Sequence, residues 1–391
     1  MQSELPVPDA AAQAHSQLLR EHITARIAAG DGWISFADYM DLALYAPGLG
    51  YYSAGAAKFG EAGDFVTAPE ISPLFSRCLA GQCAQVLADI DGGVVLELGA
   101  GTGVMAADLL LELDRLGSLP ATYYILEPSA DLRERQRSLL GERAGALVER
   151  VEWLQEGPAE SLRGMILANE VVDALPVNRF YIEGDQVGEV GVVAEKGQFL
   201  LQPRPAGGSL RTALEPVRSL ADFDAGEGYM SEVSLRVPAW LNTLSGWLEH
   251  GIVLLFDYGH SRAEYYLPER NAGTLRCYYR HRVHDDPLLW PGLQDISAWV
   301  DFSLLAHSAE EAGLDVLGYT TQAQFLLAAG LNELIAGQEA VDEQAQVALS
   351  RGLRQLLMPG EMGESVKVLA LGRGEVAIPE GMKGRDMRAS L

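Results

Sequence analysis

The spacing of apolar positions changes along the chain. Residues 10–46 are Ala- and Leu-rich, are broken by the turn "AGDGW" at 29–33, and read as helical pieces. Residues 71–90, "ISPLFSRCLAGQCAQVLADI", repeat apolar side chains every three or four positions, which predicts one helix. After "DGG" the apolar runs become short and continuous. They are "VVLELGAG" (94–101), "TYYILEP" (122–128), "VEWLQ" (151–155), "GMILANE" (164–170) and "GIVLLFDYG" (251–259), with "LDVLGYT" and "SVKVLALG" late in the chain. Helical stretches such as "MAADLLLELDRLG" and "LRERQRSLL" separate the first of them. Continuous apolar strands alternating with helices predict an α/β fold, a mostly parallel seven-stranded sheet with helices on both faces.

Two stretches interrupt this rhythm. Residues 180–235 contain "RFYIEGDQVGEVGVVAEKGQFLLQP", alternating apolar and polar with two turn signals, and predict a β-hairpin or meander. Residues 258–312 are rich in Tyr, His, Arg and Asp. A helical insertion is expected at about 321–360.

With 48% hydrophobic and 21% charged residues the chain reads as globular. No apolar run approaches the roughly 18 residues of a membrane span, so none is expected. The formal charge is −25, from 54 acids against 29 bases. That surplus argues against nucleic-acid binding, which needs a basic footprint. No Lys or Arg precedes Arg20, which speaks against secretory and mitochondrial presequences; the expected compartment is the cytoplasm. Cys78, Cys83 and Cys277 lack ligand spacing, so reduced thiols and no metal are expected.

The candidate chemistry begins in "LELGAGTG". Gly99, Gly101 and Gly103 fall at the carboxyl end of the first strand, where glycine lets a ligand approach the backbone. A dinucleotide fingerprint wants glycine at 104, but Val104 stands there. The spacing suits S-adenosylmethionine (SAM) instead. On this reading Glu97 receives the ammonium of the methionine moiety and Glu127, ending the second strand, takes the ribose hydroxyls. The bland reading is a glycine-rich turn with two solvated acids.

"GDFVTAPEIS", "LELGAGTG", "ANEVVDALPVNRF", "GTLRCYYRHR" and "DISAWVDF", in that order, resemble the MidA-type class I SAM-dependent methyltransferases, a family that includes the mitochondrial complex I assembly arginine methyltransferase. The resemblance covers roughly residues 35 to 330. It departs at Ala100, Thr102, Cys277 and Trp299. It implies a Rossmann-like class I methyltransferase fold. It also implies that the segment before the first strand folds over the cofactor, so that Gly63, Asp64, Thr67, Pro69 and Glu70 line the SAM site. The plainer alternative for that segment is a helix cap by Ser72 and a turn at Pro69. The expected layout is an N-terminal helical region and lid (1–90), a methyltransferase core with three insertions (91–375) and a C-terminal tail (376–391).

On the acceptor side, "ANEVVDALP" delivers Asn169, Glu170 and Asp173 to the end of the fourth strand, Asn169 on the side of the cofactor. Paired carboxylates suit a guanidinium, whose charge they hold through forked hydrogen bonds. Glu232, Asp257 and His260 are expected on the same rim, His260 either as a base or as an ordinary loop residue. "RCYYRHR" reads as a source of internal ion pairs or a grip on a protein partner. From the resemblance, the acceptor is an arginine in an incompletely folded complex I core subunit. A SAM-binding scaffold without catalysis, or a methyltransferase of a small metabolite, are the competing readings. Oligomeric state is not legible.

Overall fold

The structure, a computed structural model, describes residues 5–54, 66–184, 186–220, 228–337 and 343–391. Gly63 and Asp64 lie outside the described residues. The chain divides into two compact units. A core unit is built from 66–172, 238–260 and 302–391, and a second unit from 1–65, 173–237 and 261–301.

The core unit carries the strands β1 (Val94–Leu98), β2 (Tyr123–Leu126), β3 (Val151–Leu154), β4 (Leu162–Asn169), β5 (Leu248–His260), β6 (Asp315–Thr321) and β7 (Val366–Arg373). They lie in the order β3-β2-β1-β4-β5-β7-β6. The first five run parallel, with Leu96 between Tyr124 and Ile166 and with Leu254 beside Leu167. β7 runs antiparallel to both neighbours, pairing Ala370 with Leu254 and Leu369 with Tyr319. This is the class I methyltransferase sheet. The order reverses between β1 and β4, so a crevice opens at their carboxyl ends, where open α/β sheets bind ligands.

Why these residues make these strands follows from burial on both faces. Val95, Leu96 and Leu98, Met165 to Ala168, and Ile252 to Phe256 are all buried, so no polar alternation is left to see. Helix α1 (Pro73–Ala88) starts where Ser72 accepts from the Leu74 N–H and Pro73 fills the first turn. It buries Leu74, Phe75, Cys78, Leu79, Cys83 and Val86. Helix α2 (Val104–Arg115) follows the glycine turn, and α3 (Ala130–Ala144) is capped by Ser129. Phe256 of β5 meets Phe75 edge-on at 5.2 Å and Phe325 at 5.0 Å, tying helices to the sheet. Residues 376–391 also belong to this unit: the Gly381 N–H donates to Gln82 and the Met387 N–H to the Tyr319 carbonyl.

The second unit gathers what looked in sequence like separate decorations. Helices Ala10–Ala29 and Phe36–Tyr45 bury Leu19, Ile23, Ile27, Phe36, Tyr39 and Met40. Those side chains share one cluster with Val192, Phe199, Cys277 and Ile296, drawn from both insertions. Among the described residues the N-terminal helices' own stretch of chain adds only the two-residue strand Ile34–Ser35, paired with Val192 and Gly191, so the distant insertions supply the rest of the sheet. Strands Asn178–Glu183 and Gln186–Glu195 form an antiparallel hairpin, extended by Gln198–Pro205 and Tyr229–Val233. "RCYYRHR" is a second hairpin, Arg276–Tyr279 against Arg282–His284. Its turn residues Arg280 and His281 take φ of 47° and 58°, the left-handed pair that a two-residue turn demands. Arg276 pairs with Asp285 at 3.4 Å.

Phe256→Ala would open a cavity between two aromatic neighbours and the sheet. A loss of about 3–5 kcal/mol in unfolding free energy is expected. Denaturant titration checks it, and a change below about 1 kcal/mol would contradict the packing described.

Candidate functional site

Leaving β1, the chain turns through three glycines with φ of 62° (Gly99), 54° (Gly101) and 89° (Gly103). All are left-handed values that side-chain-bearing residues resist. Their surroundings differ. Among the described residues a Cβ on exposed Gly99 would touch only Val171 Cγ2, at 3.4 Å, which leaves room for a ligand to approach. A Cβ on Gly103 would press Leu140 at 3.1 Å and Gln136 at 3.3 Å, so this glycine lets α3 pack against the loop. Gly103 also starts α2 without any side-chain cap, so among the described residues its own cap position offers the first helical N–H groups no acceptor.

Glu127 stands one residue beyond β2 and is buried. Its Oε1 accepts from the Ser129 N–H at 2.9 Å, and its Oε2 has only a long 3.5 Å contact with Gln136 Nε2 among the described residues. Burial pushes its carboxyl above the usual range, against the Ser129 and Gln136 hydrogen bonds. One oxygen is anchored while the other is left for a diol.

Glu97 corrects a sequence expectation. It is 1% exposed, and its Oε2 accepts from the Tyr123 hydroxyl at 2.6 Å. Alternation along β1 turns this side chain toward Tyr123 and Cys83 in the core, where the Tyr123 hydroxyl occupies one of its oxygens. Burial pushes the carboxyl up to about 7, with the Tyr123 hydroxyl pulling it down. A buried acceptor stands at the end of β4. Asn169 Oδ1 is buried without a hydrogen-bond partner among the described residues, while its Nδ2 donates to Glu170 Oε1 at 3.3 Å. With the glycine turn, Glu127 and this orphan oxygen, the residues fit an amino-acid nucleoside.

Glu170 is the strained residue of the site. Its φ is 53°, its N–H donates to the Phe256 carbonyl at 2.8 Å, and Oε1 accepts from the Ala68 N–H at 3.3 Å. Non-glycine residues held in this region cost on the order of 1–3 kcal/mol and gather at functional sites. Ala68 opens the short helix Ala68–Ile71 of the expected lid, with Thr67 at its N-cap and Pro69 buried in its first turn. Glu70 from the same helix accepts from Thr102 Oγ1, in the glycine turn, at 2.7 Å. Two carboxylates therefore tie this segment to both β1 and β4. Ser72 caps the next helix, as the plainer reading of the segment expects.

The remaining expected acids part company. Asp257 is buried, and its Oδ2 accepts the Val171 and Val172 N–H groups at 3.1 and 2.8 Å, so it fixes the turn after Glu170 and does not sit on a rim. Glu232 belongs to the second unit and is fully buried beside Arg179, at 3.4 Å, and the Thr274 N–H, at 2.9 Å. It organises that unit's interior, and Gly273 must lack a Cβ to admit it. Asp173, half-buried, opens the second unit, its carbonyl accepting from the Ala298 N–H. His260 ends β5, half-buried. Gln136 was not singled out in the sequence, and Thr102 stood out there only as a departure from the family pattern. Gln136 carried a signal, since it shares the four-residue stripe of Leu132, Leu140 and Ala144.

Because the folded-state value for Glu97 lies above the usual one, the folded protein holds this proton more firmly than the unfolded chain. Stability from this group is therefore lost as pH rises from about 4.5 through about 7, by at most about 3 kcal/mol. Glu97→Gln should raise the thermal midpoint above pH 7, the gain shrinking toward pH 5. A loss of equal size at both pH values would contradict the burial argument.

Known proteins bear on the same residues. Residues 78–320 match the family described as "Putative S-adenosyl-L-methionine-dependent methyltransferase". The chain is 30% identical over 332 residues to the mouse "Protein arginine methyltransferase NDUFAF7, mitochondrial", covering 77% of this chain and 72% of that one. The Drosophila melanogaster homolog of that protein is likewise 30% identical, over 78% and 74%. A Burkholderia thailandensis protein crystallised with S-adenosyl-homocysteine superposes with a TM-score of 0.93 at 42% identity, over 99% of this chain and 100% of that one. The glycine turn and these relatives agree, and the chain belongs to the MidA-type family of SAM-dependent methyltransferases.

Proposed function

We propose that the chain is a protein arginine N-methyltransferase acting in the cytoplasm on a core subunit of respiratory complex I, before that subunit is fully folded. The observation that carries this reading is Glu170, a carboxylate held at φ 53° on the end of β4, next to the residues that fit the cofactor. Relatives named protein arginine methyltransferases support the choice of acceptor.

SAM supplies the methyl group, activated on its sulfonium. The chain's own part is to bind and orient. A guanidinium stays protonated at neutral pH, so a carboxylate can hold it through charge-assisted hydrogen bonds and draw its charge from the attacking nitrogen. In-line displacement at carbon depends on alignment, and a side chain locked by its backbone supplies it at low entropic cost. Glu170 takes this role, and Asp173, three residues on, is the second candidate. Glu232 and Asp257 are committed to internal partners and drop out. The segment 66–72, tied through Glu70 and Glu170, helps keep water from the sulfonium. An acceptor arginine must be reached while still exposed, which favours an incompletely folded chain.

Glu170→Gln keeps an acceptor for the Ala68 N–H and removes the charge. Affinity for S-adenosyl-homocysteine should stay within about 3-fold while turnover falls by about 100-fold or more. Lost cofactor binding with turnover intact at saturating SAM would reverse the assignment. Acceptor identity is tested by expressing the candidate subunit with and without this protein and mapping methyl groups by mass spectrometry. Methylarginine on that subunit only in the presence of this protein is expected. Methylarginines elsewhere would discard the substrate, and none at all would discard the chemistry.

A further inference from the structure

Gln136 is a fully buried amide on α3 that bonds to three separate segments, two of them the glycine turn and Glu127. Its Oε1 accepts from the Trp153 indole N–H at 3.0 Å. An indole can only donate, so this bond fixes which end of the amide is which. Its Nε2 therefore faces two acceptors, the Gly101 carbonyl at 3.0 Å and Glu127 Oε2 at 3.5 Å. Trp153 sits on β3, Gly101 in the turn after β1, and Glu127 just beyond β2. Three adjacent strand ends thus converge on one side chain. The missing Cβ of Gly103 makes the approach possible, because one there would lie 3.4 Å from Gln136 Cα.

We propose that Gln136 is a positioning residue for cofactor binding, setting the glycine turn and the ribose acid at a fixed separation by donating one amide hydrogen to each. This rests on SAM as the cofactor, with Glu127 on its ribose. The two donors have two distinct tasks. Toward Gly101, the bond pins the carbonyl of a residue in a left-handed conformation. Toward Glu127, a donor on Oε2 favours the charged carboxylate that a diol needs, in a place where burial alone disfavours it. A residue that merely filled the space beside Gly103 would need neither polar end, and an apolar side chain of the same length would serve.

The test exploits a change of protonation. Gln136→Glu keeps the shape but at high pH sets a second carboxylate against Glu127 and the Gly101 carbonyl. At low pH the protonated acid can donate again, and burial with a like charge beside it ensures that it protonates readily. Calorimetric titration with S-adenosyl-homocysteine from pH 5.5 to 9 should show the variant about 10-fold or more weaker than wild type at the alkaline end. It should recover to within about 3-fold at the acid end, while wild type changes little. A loss independent of pH would mean a purely structural role, and wild-type affinity throughout would mean none; either overturns the proposal. Should Gln136→Glu not fold, Gln136→Met replaces it in a cycle with Glu127→Ala. A double variant no weaker than Glu127→Ala to within about 3-fold supports action through Glu127, whereas fully multiplied losses refute it. If wild type itself does not bind S-adenosyl-homocysteine, the cofactor reading fails first, and that result is separate from any effect of Gln136.

Discussion

The left-handed turn at residues 99–103 is the constraint on which the rest of the site depends. A chain leaving β1 must reverse within five residues, start α2, expose backbone to a ligand and let α3 pack from the side. Positive φ at Gly99, Gly101 and Gly103 meets the first demands, and the missing side chains meet the others. Each glycine has its own reason. Among the described residues Gly99 faces only Val171, at ordinary contact distance, and Gly103 faces Gln136 and Leu140. Around this turn the other groups are placed by hydrogen bonds: Thr102 to Glu70, the Gly101 carbonyl to Gln136, and Gln136 to Glu127. The segment before α1 is tied into the same network through Glu170.

A chain with 54 acids spends several of them on its interior. Glu97, Asp257 and Glu232 are buried, and each meets a specific donor: the Tyr123 hydroxyl, backbone N–H groups after Glu170, and the Thr274 N–H, with Arg179 as the ion-pair partner of Glu232. Burying a carboxylate costs several kcal/mol unless such donors offset it, and leaving out one donor is the expensive error. The pattern explains why strand-end acids cannot be sorted by sequence position alone. Glu170 differs from them in being partly exposed and backbone-strained. Strain is kept where surrounding structure over-determines it, here by the Phe256 carbonyl beside Glu170 and by Asp257 behind the next two residues.

The core sheet was legible because two-sided burial leaves continuous apolar runs such as 251–259, which nothing else in the chain imitates. The second unit was not legible. Its core joins Ile23, Phe199 and Ile296, residues far apart in the chain, and periodicity reports only local faces. Gly99, Gly101, Gly103 and Glu127 could be found from spacing, since each sits at a strand end. Glu97 misled because its role turns on which face of β1 it occupies, a two-residue alternation hidden inside an all-buried strand. Gln136 lay in a helix of charged residues, and only its place on the stripe of Leu132 and Leu140 set it apart. Asp257 and Glu232 were sorted only once their donors were visible, because both come from distant strands.

The direct measurement of this account is calorimetric titration of S-adenosyl-homocysteine into wild type and Gly101→Val, with circular dichroism to confirm that the variant keeps its helices. A β-branched residue at φ 54° forces the turn open where the ligand must approach. The account predicts binding to wild type and none detectable to the variant. Equal affinity in both, or wild type that binds NAD and not S-adenosyl-homocysteine, would contradict it.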